Sequence, residues 1–125
     1  MVSEVFLCLY WIEGAIVDFQ NLRDANQRRH VEWAKGGEVS LSFRGLELGG
    51  EAGEVLNEIK KIERSRFGLA GSKEVDTAAL QDELADVLIC VDLIAMDLGI
   101  DLKDAVESKF NRTSEKYGLE TRFKA

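Results

Sequence analysis

Residues 48–62, Leu48-Gly49-Gly50-Glu51-Ala52-Gly53-Glu54-Val55-Leu56-Asn57-Glu58-Ile59-Lys60-Lys61-Ile62, decide the fold. Leu48, Ala52, Val55, Ile59 and Ile62 recur at three- and four-residue steps, which places them on one face of an α-helix. A second run repeats the pattern with Leu80, Leu84, Val87, Val91, Ile94 and Leu98. Two helices that each carry one apolar stripe pack against helices rather than against a sheet.

The punctuation around these runs supplies the other elements. The spacing predicts a first helix from about Ala15 to about Lys35, stopped by Gly36-Gly37, and a second over Leu41 to Arg66. Gly68 to Asp76 reads as a loop. Asp76 or Thr77 caps a third helix that runs to Met96 or Leu98 and ends at Gly99. Asp101 caps a fourth, with Asp104 in its first turn, and Gly118 closes it. The expectation is an all-α, four-helix-bundle-like domain over residues 14–118, its core completed by oligomerisation. Residues 1–13 form an N-terminal extension and 119–125 a C-terminal tail.

Composition agrees. The chain has 125 residues, 46% of them hydrophobic, 31% charged and none proline, which suits one helical domain. Its net charge of −7 disfavours a nucleic-acid polymer as partner, because duplex affinity depends on neutralising phosphates. Cys8 and Cys90 are too few and too far apart for a disulfide framework, and read as reduced thiols. The apolar stretch Val5 to Ile12 is too short to span a bilayer, and Glu4 and Glu13 flank it where a signal peptide has a basic start. A cytoplasmic protein with no membrane partner follows as the expectation.

The chemistry lies in a correspondence between the two runs. Glu51-Ala52-Gly53-Glu54-Val55-Leu56 and Glu83-Leu84-Ala85-Asp86-Val87-Leu88 share one plan: an acid, two small or apolar residues, a second acid, then Val-Leu. At ~100° per residue, Glu51 lies ~40° from Val55 and Glu83 ~40° from Val87. The carboxylates therefore sit on the shoulders of the apolar stripes, with Glu58 and Glu47 extending the row. A single Glu-x-x-Glu on a helix is ordinarily a solvated face. Two pairs at matched phase bring four carboxylates to one partly buried spot, where like charges repel unless a cation joins them. Hard oxygen donors suit Mg²⁺, with Mn²⁺ as a substitute. His30 is the sole histidine, so Glu-x-x-His di-iron and zinc sites are excluded, and no phosphate-binding Gly-rich loop or nucleophile elbow occurs. Metal-assisted hydrolysis by carboxylates remains.

The run Glu47 to Glu54 with Asn57, Lys60 and Lys61 resembles the first acidic motif of MazG-like nucleoside triphosphate pyrophosphohydrolases. Asp82 to Leu88 resembles the second, and Lys109 to Gly118 is similar to the closing segment of small single-domain members. The resemblance covers roughly Phe19 to Arg122. It implies an α-helical oligomer, a homodimer or a dimer of dimers, that cleaves a (deoxy)nucleoside triphosphate to the monophosphate and pyrophosphate, in house-cleaning of the nucleotide pool. One departure is Gly50, where many relatives carry a glutamate. Another is Cys90, one turn beyond Asp86, which lacks a polar or aromatic group for substrate.

On this reading Glu51, Glu54, Glu83 and Asp86 ligate the metal, and Glu54 or Glu58 orients the attacking water. Lys60 and Lys61, favoured by the motif match, and Lys109 and Asn111 from the fourth helix are candidates for substrate contact. Lys60, Lys61, Arg64 and Arg66 form a basic run that serves either the phosphates or the helix macrodipole. Trp33, beside His30, offers a flat surface on which a base stacks. Two alternatives stand: a non-catalytic helical interaction module, or the same fold acting on phosphoribosyl-ATP or a uridine nucleotide.

Overall fold

The computed structural model describes residues 16–124. The extension 1–13, with Cys8 and Trp11, lies outside the described residues. Among those described, the secondary structure is helical: α1 (Phe19–Ala34), α2 (Leu41–Arg66), α3 (Thr77–Asp97) and α4 (Leu102–Lys116), with no strand. The all-α expectation holds. No helix among them is long and apolar enough to cross a membrane.

Each helix starts where a side chain answers the orphan N–H groups of the first turn. Asp18 accepts from the Asn21 N–H at 2.7 Å, Ser40 from Phe43 at 3.1 Å, Asp76 from Ala78 at 2.8 Å and Asp101 from Asp104 at 3.1 Å. The first of these corrects the expected start near Ala15, because Asp18 is worth more as a cap than as a first-turn residue. The ends turn left-handed. Gly99 (φ 66°) follows α3, and the Ile100 N–H reaches back to the Ala95 carbonyl at 2.8 Å. Gly118 (φ 66°) follows α4 with the same closure, Leu119 to Ser114.

The chain divides into two compact units, residues up to Lys35 with Ala95–Ala125, and Gly36–Ile94. In the first, Arg23 Nη2 donates to the Ile100 carbonyl at 2.8 Å, tying α1 to the turn before α4. The tail after α4 is held too. Asn111 Nδ2 donates to the Phe123 carbonyl, the Phe123 N–H donates to Asn111 Oδ1, both at 2.8 Å, and the Phe110 and Phe123 rings meet edge to face at 5.0 Å.

The second unit contains α2 and most of α3. Along α3 the less exposed line is Leu80, Glu83, Val87, Cys90 and Ile94, whereas Leu84 and Leu88 are 48% and 61% exposed. The inward face is thus rotated by one residue from the expected stripe at Leu84, and an acid takes the inward place. Of the apolar side chains described, only Cys90 and Ala95 are fully buried.

Candidate metal centre

The middle of α2 and the first half of α3 set the site. Glu51 and Glu83 are half-buried and Asp86 exposed, and one carboxylate oxygen of each lies within 4.8 Å of the others. Octahedral Mg²⁺ at 2.0–2.1 Å from its ligands holds them about 3–4 Å apart, so small side-chain rotations close this set onto one ion. Three of the four ligands read from the sequence are therefore brought together. Glu54 is exposed and stands outside the trio, although its charge is felt there.

The electrostatics register the crowding. Burial raises the Glu83 carboxyl above the ordinary 4.5, and Glu51, Glu54, Asp86 and Glu58 push it the same way. Four acids press on one carboxylate, and of the four only Glu58 is paired with Lys61; a divalent ion relieves such an environment. Lys61 sits at the edge of this field. Its ammonium is hydrogen-bonded to Glu58, which raises its pKa most; burial opposes, and Glu54 and Glu83 add to the rise.

Behind the trio the site is charged and buried. Arg44, 2% exposed, places Nη1 3.5 Å from Glu47 Oε1, an ion pair without hydrogen-bond geometry that leaves this buried oxygen short of a donor. Cys90 fills the next turn of α3. Burial raises its thiol above the ordinary 9.0, Glu47, Glu51 and Asp86 add to that, and Arg44 opposes. The sequence reading missed Arg44, though its signal is plain afterwards: it lies three residues before Glu47 and seven before Glu51, along the same flank of α2. It also missed Asp92, which is 0% exposed.

Lys60 is exposed on α2. His30 and Trp33 lie on α1, and Lys109 and Asn111 on α4, in the other unit. Both ends of the Asn111 amide are engaged by the Phe123 backbone.

Comparison with known proteins follows the same residues. The model of the MazG-like family matches residues 47–125, which contain both acidic pairs and leave His30 and Trp33 outside. The chain is 34% identical over 76 residues to the Gene 37 protein of Mycobacterium phage L5, covering 61% of this chain. The match spans 65% of that relative's length, and the relative's name states no activity. No solved structure matches.

Proposed function

The chain belongs to the MazG-like family, and from that premise we propose that it hydrolyses (deoxy)nucleoside triphosphates to the monophosphate and pyrophosphate with a divalent cation, Mg²⁺ or Mn²⁺. The observation that supports this reading is the trio Glu51, Glu83 and Asp86, three carboxylates that each place one oxygen within 4.8 Å of the others. Their oxygens are hard donors of the kind Mg²⁺ takes, and Mg²⁺ keeps open positions for substrate phosphates. The ion, when bound, supplies Lewis-acid polarisation of the phosphoryl oxygens.

The chain's own residues do the rest. Glu51 on α2 and Glu83 on α3 are half-buried, which limits the water around them. Water attacks the α-phosphorus, the bond from that phosphorus to the bridging oxygen breaks, and pyrophosphate leaves. Glu54, exposed one turn from Glu51, takes the proton. Glu58 is held by Lys61 and is less available for that role. The direct test is pyrophosphate release from a panel of nucleotides with Mg²⁺ and with EDTA. Metal-dependent release with a monophosphate co-product supports the reading, and no release from a folded protein refutes it.

The assembly belongs to the same proposal. Leu46, Leu56 and Leu88 are 76%, 67% and 61% exposed, and Gly45, Gly49 and Gly53 recur at four-residue steps on α2 with open space where a Cβ would stand. Glycine inside a helix costs about 0.5–1 kcal/mol each relative to alanine. A second copy packed closely on this stripe and its leucines compensates. Sedimentation of the wild type as a dimer or tetramer, and of Leu56→Glu as a monomer, is the result this assembly requires; a wild-type monomer at micromolar concentration refutes it.

A further inference from the structure

We propose that a cavity between α2 and the loop preceding α3 receives the nucleotide base, and that Arg64 selects a base with two adjacent acceptors on one edge, as guanine presents. The inference rests on the triphosphate reading above and adds which part of the substrate lies where.

The cavity has a volume of about 290 Å³. Glu58 and Lys61 line it, and both interact electrostatically with Glu83. Ala79, which also lines it, precedes Glu83 by one helical turn, ~6 Å along the axis. A triphosphate held at the cluster therefore has one end within reach of the cavity.

Charge and size decide which end. Pyrophosphate carries several negative charges and calls for uncompensated cations. Here Lys61, Arg64 and Lys73 are matched by Glu58, Glu74 and Asp76. The volume is close to the ~300 Å³ at which small-molecule pockets begin. Ile62, Val75 and Ala79 supply apolar surface suited to the faces of a ring. A neutral, partly apolar cavity of this size fits a nucleoside better than a phosphate pair.

The polar groups then select among bases. Lys61 is paired with Glu58, and Asp76 caps α3 through Ala78. Arg64 is half-buried, and among the described residues its guanidinium makes no ion pair or hydrogen bond; Glu74 is likewise unpaired. The backbone of Arg64 is also tied to the loop. Its carbonyl accepts from the Leu69 N–H at 3.0 Å and the Ser72 hydroxyl at 2.9 Å, so the loop folds back onto the residue that carries the guanidinium. Gly71 at φ 80° lets the backbone pass beside it, with Arg64 Nη1 4.0 Å from where a Cβ would stand. A guanidinium only donates. It matches the O6 and N7 acceptors of guanine and opposes the amino group that adenine presents beside N7, while Glu74 is an acceptor for ring or amino N–H groups.

The test compares kcat/KM for dGTP and dATP in the wild type and in Arg64→Met, together with amide shifts of residues 71–76 on adding dGMP or dAMP without metal. A wild-type preference for dGTP of about tenfold or more, collapsing toward one in the variant, with dGMP the stronger perturbant of the loop, is the expected result. A ratio that the variant leaves unchanged, or no wild-type preference, overturns the proposal. If no nucleotide is hydrolysed but dGMP shifts the loop more than dAMP does, the hydrolase reading falls and the base assignment stands. If dGTP and dATP are both hydrolysed and neither monophosphate shifts the loop, the reverse holds. Should Arg64→Met fail to fold, the dGMP and dAMP contrast on the wild type decides.

Discussion

In the unit that contains α1 and α4, polar side chains answer backbone groups. Asn111 satisfies both the N–H and the carbonyl of Phe123, Arg23 the carbonyl of Ile100, and Asp18 and Asp101 the first turns of their helices. In the Gly36–Ile94 unit, acids of α2 and α3 crowd one another with the same sign. Glu83 meets Glu51 and Asp86, with Glu54 and Glu58 near enough to be felt. The first arrangement is complete within the chain and explains stability. The second is incomplete within the chain, and a group kept at an electrostatic disadvantage is a mark of function.

The comparison breaks most easily at its charged end. Glu83→Gln and Glu51→Gln each remove a charged donor while keeping shape. Loss of groups that merely orient a metal ligand costs ~10–100-fold in metal affinity or activity, so loss of a ligand should lower kcat/KM for triphosphate hydrolysis by roughly 100-fold or more. The melting temperature without metal should rise by a few degrees in Glu83→Gln, because one of the repelling charges is gone. A variant that is both inactive and less stable would place Glu83 among the structural residues. The next largest effect is metal stabilisation. Mg²⁺ at about 100 times its Kd should stabilise the wild type by about 2.7 kcal/mol, seen as an upward thermal shift that EDTA reverses and Glu83→Gln loses.

The satisfied unit yields a smaller effect. Asn111→Ala removes two hydrogen bonds worth about 0.5–1.5 kcal/mol each in ordinary cases, and their partial exposure puts the expected loss at about 1 kcal/mol, with faster amide exchange at Phe123. If kcat and KM per folded molecule stay as in the wild type, Asn111 is a clamp for the tail. A raised KM at unchanged stability would restore it as a substrate contact.

What the sequence made legible divides along the same line. The helices could be read from apolar spacing and from the caps Asp76 and Asp101, since these are local interactions. The approach of Glu51, Glu83 and Asp86 could be read because each acid has a fixed phase against a stripe. The exclusion of Glu54 could not. Residues three apart on a helix differ by ~60°, and which of the two faces the neighbouring helix depends on how α2 and α3 are rotated. The same rotation put Glu83 inward and Leu84 outward, where apolar spacing placed Leu84 in the stripe and Glu83 on its shoulder. The Asn111 clamp was hidden for another reason: it depends on a tail that returns to the helix twelve residues later. Arg44, buried against Glu47, was passed over because a charged residue near a helix start reads as solvated.

The smallest prediction tests the electrostatic account without any assay of activity. The native pKa of Glu83 lies above the ordinary 4.5 that it has in the unfolded chain, through burial first and then the neighbouring acids. Between those two values the native state binds more protons than the unfolded one, so the derivative of stability with pH is negative there. The contribution from Glu83 is fully present below its unfolded pKa and is lost as pH rises through the native one. In metal-free protein the difference in melting temperature between Glu83→Gln and the wild type should therefore be near zero around pH 4.5, widen as pH rises above it, and then level off. Saturating Mg²⁺ reverses the sense, because the ion favours the ionised carboxylate and the wild type should then gain on the variant with rising pH. A difference that is constant across this range would mean that Glu83 is not held among like charges, and the contrast between the two units would lose its physical basis.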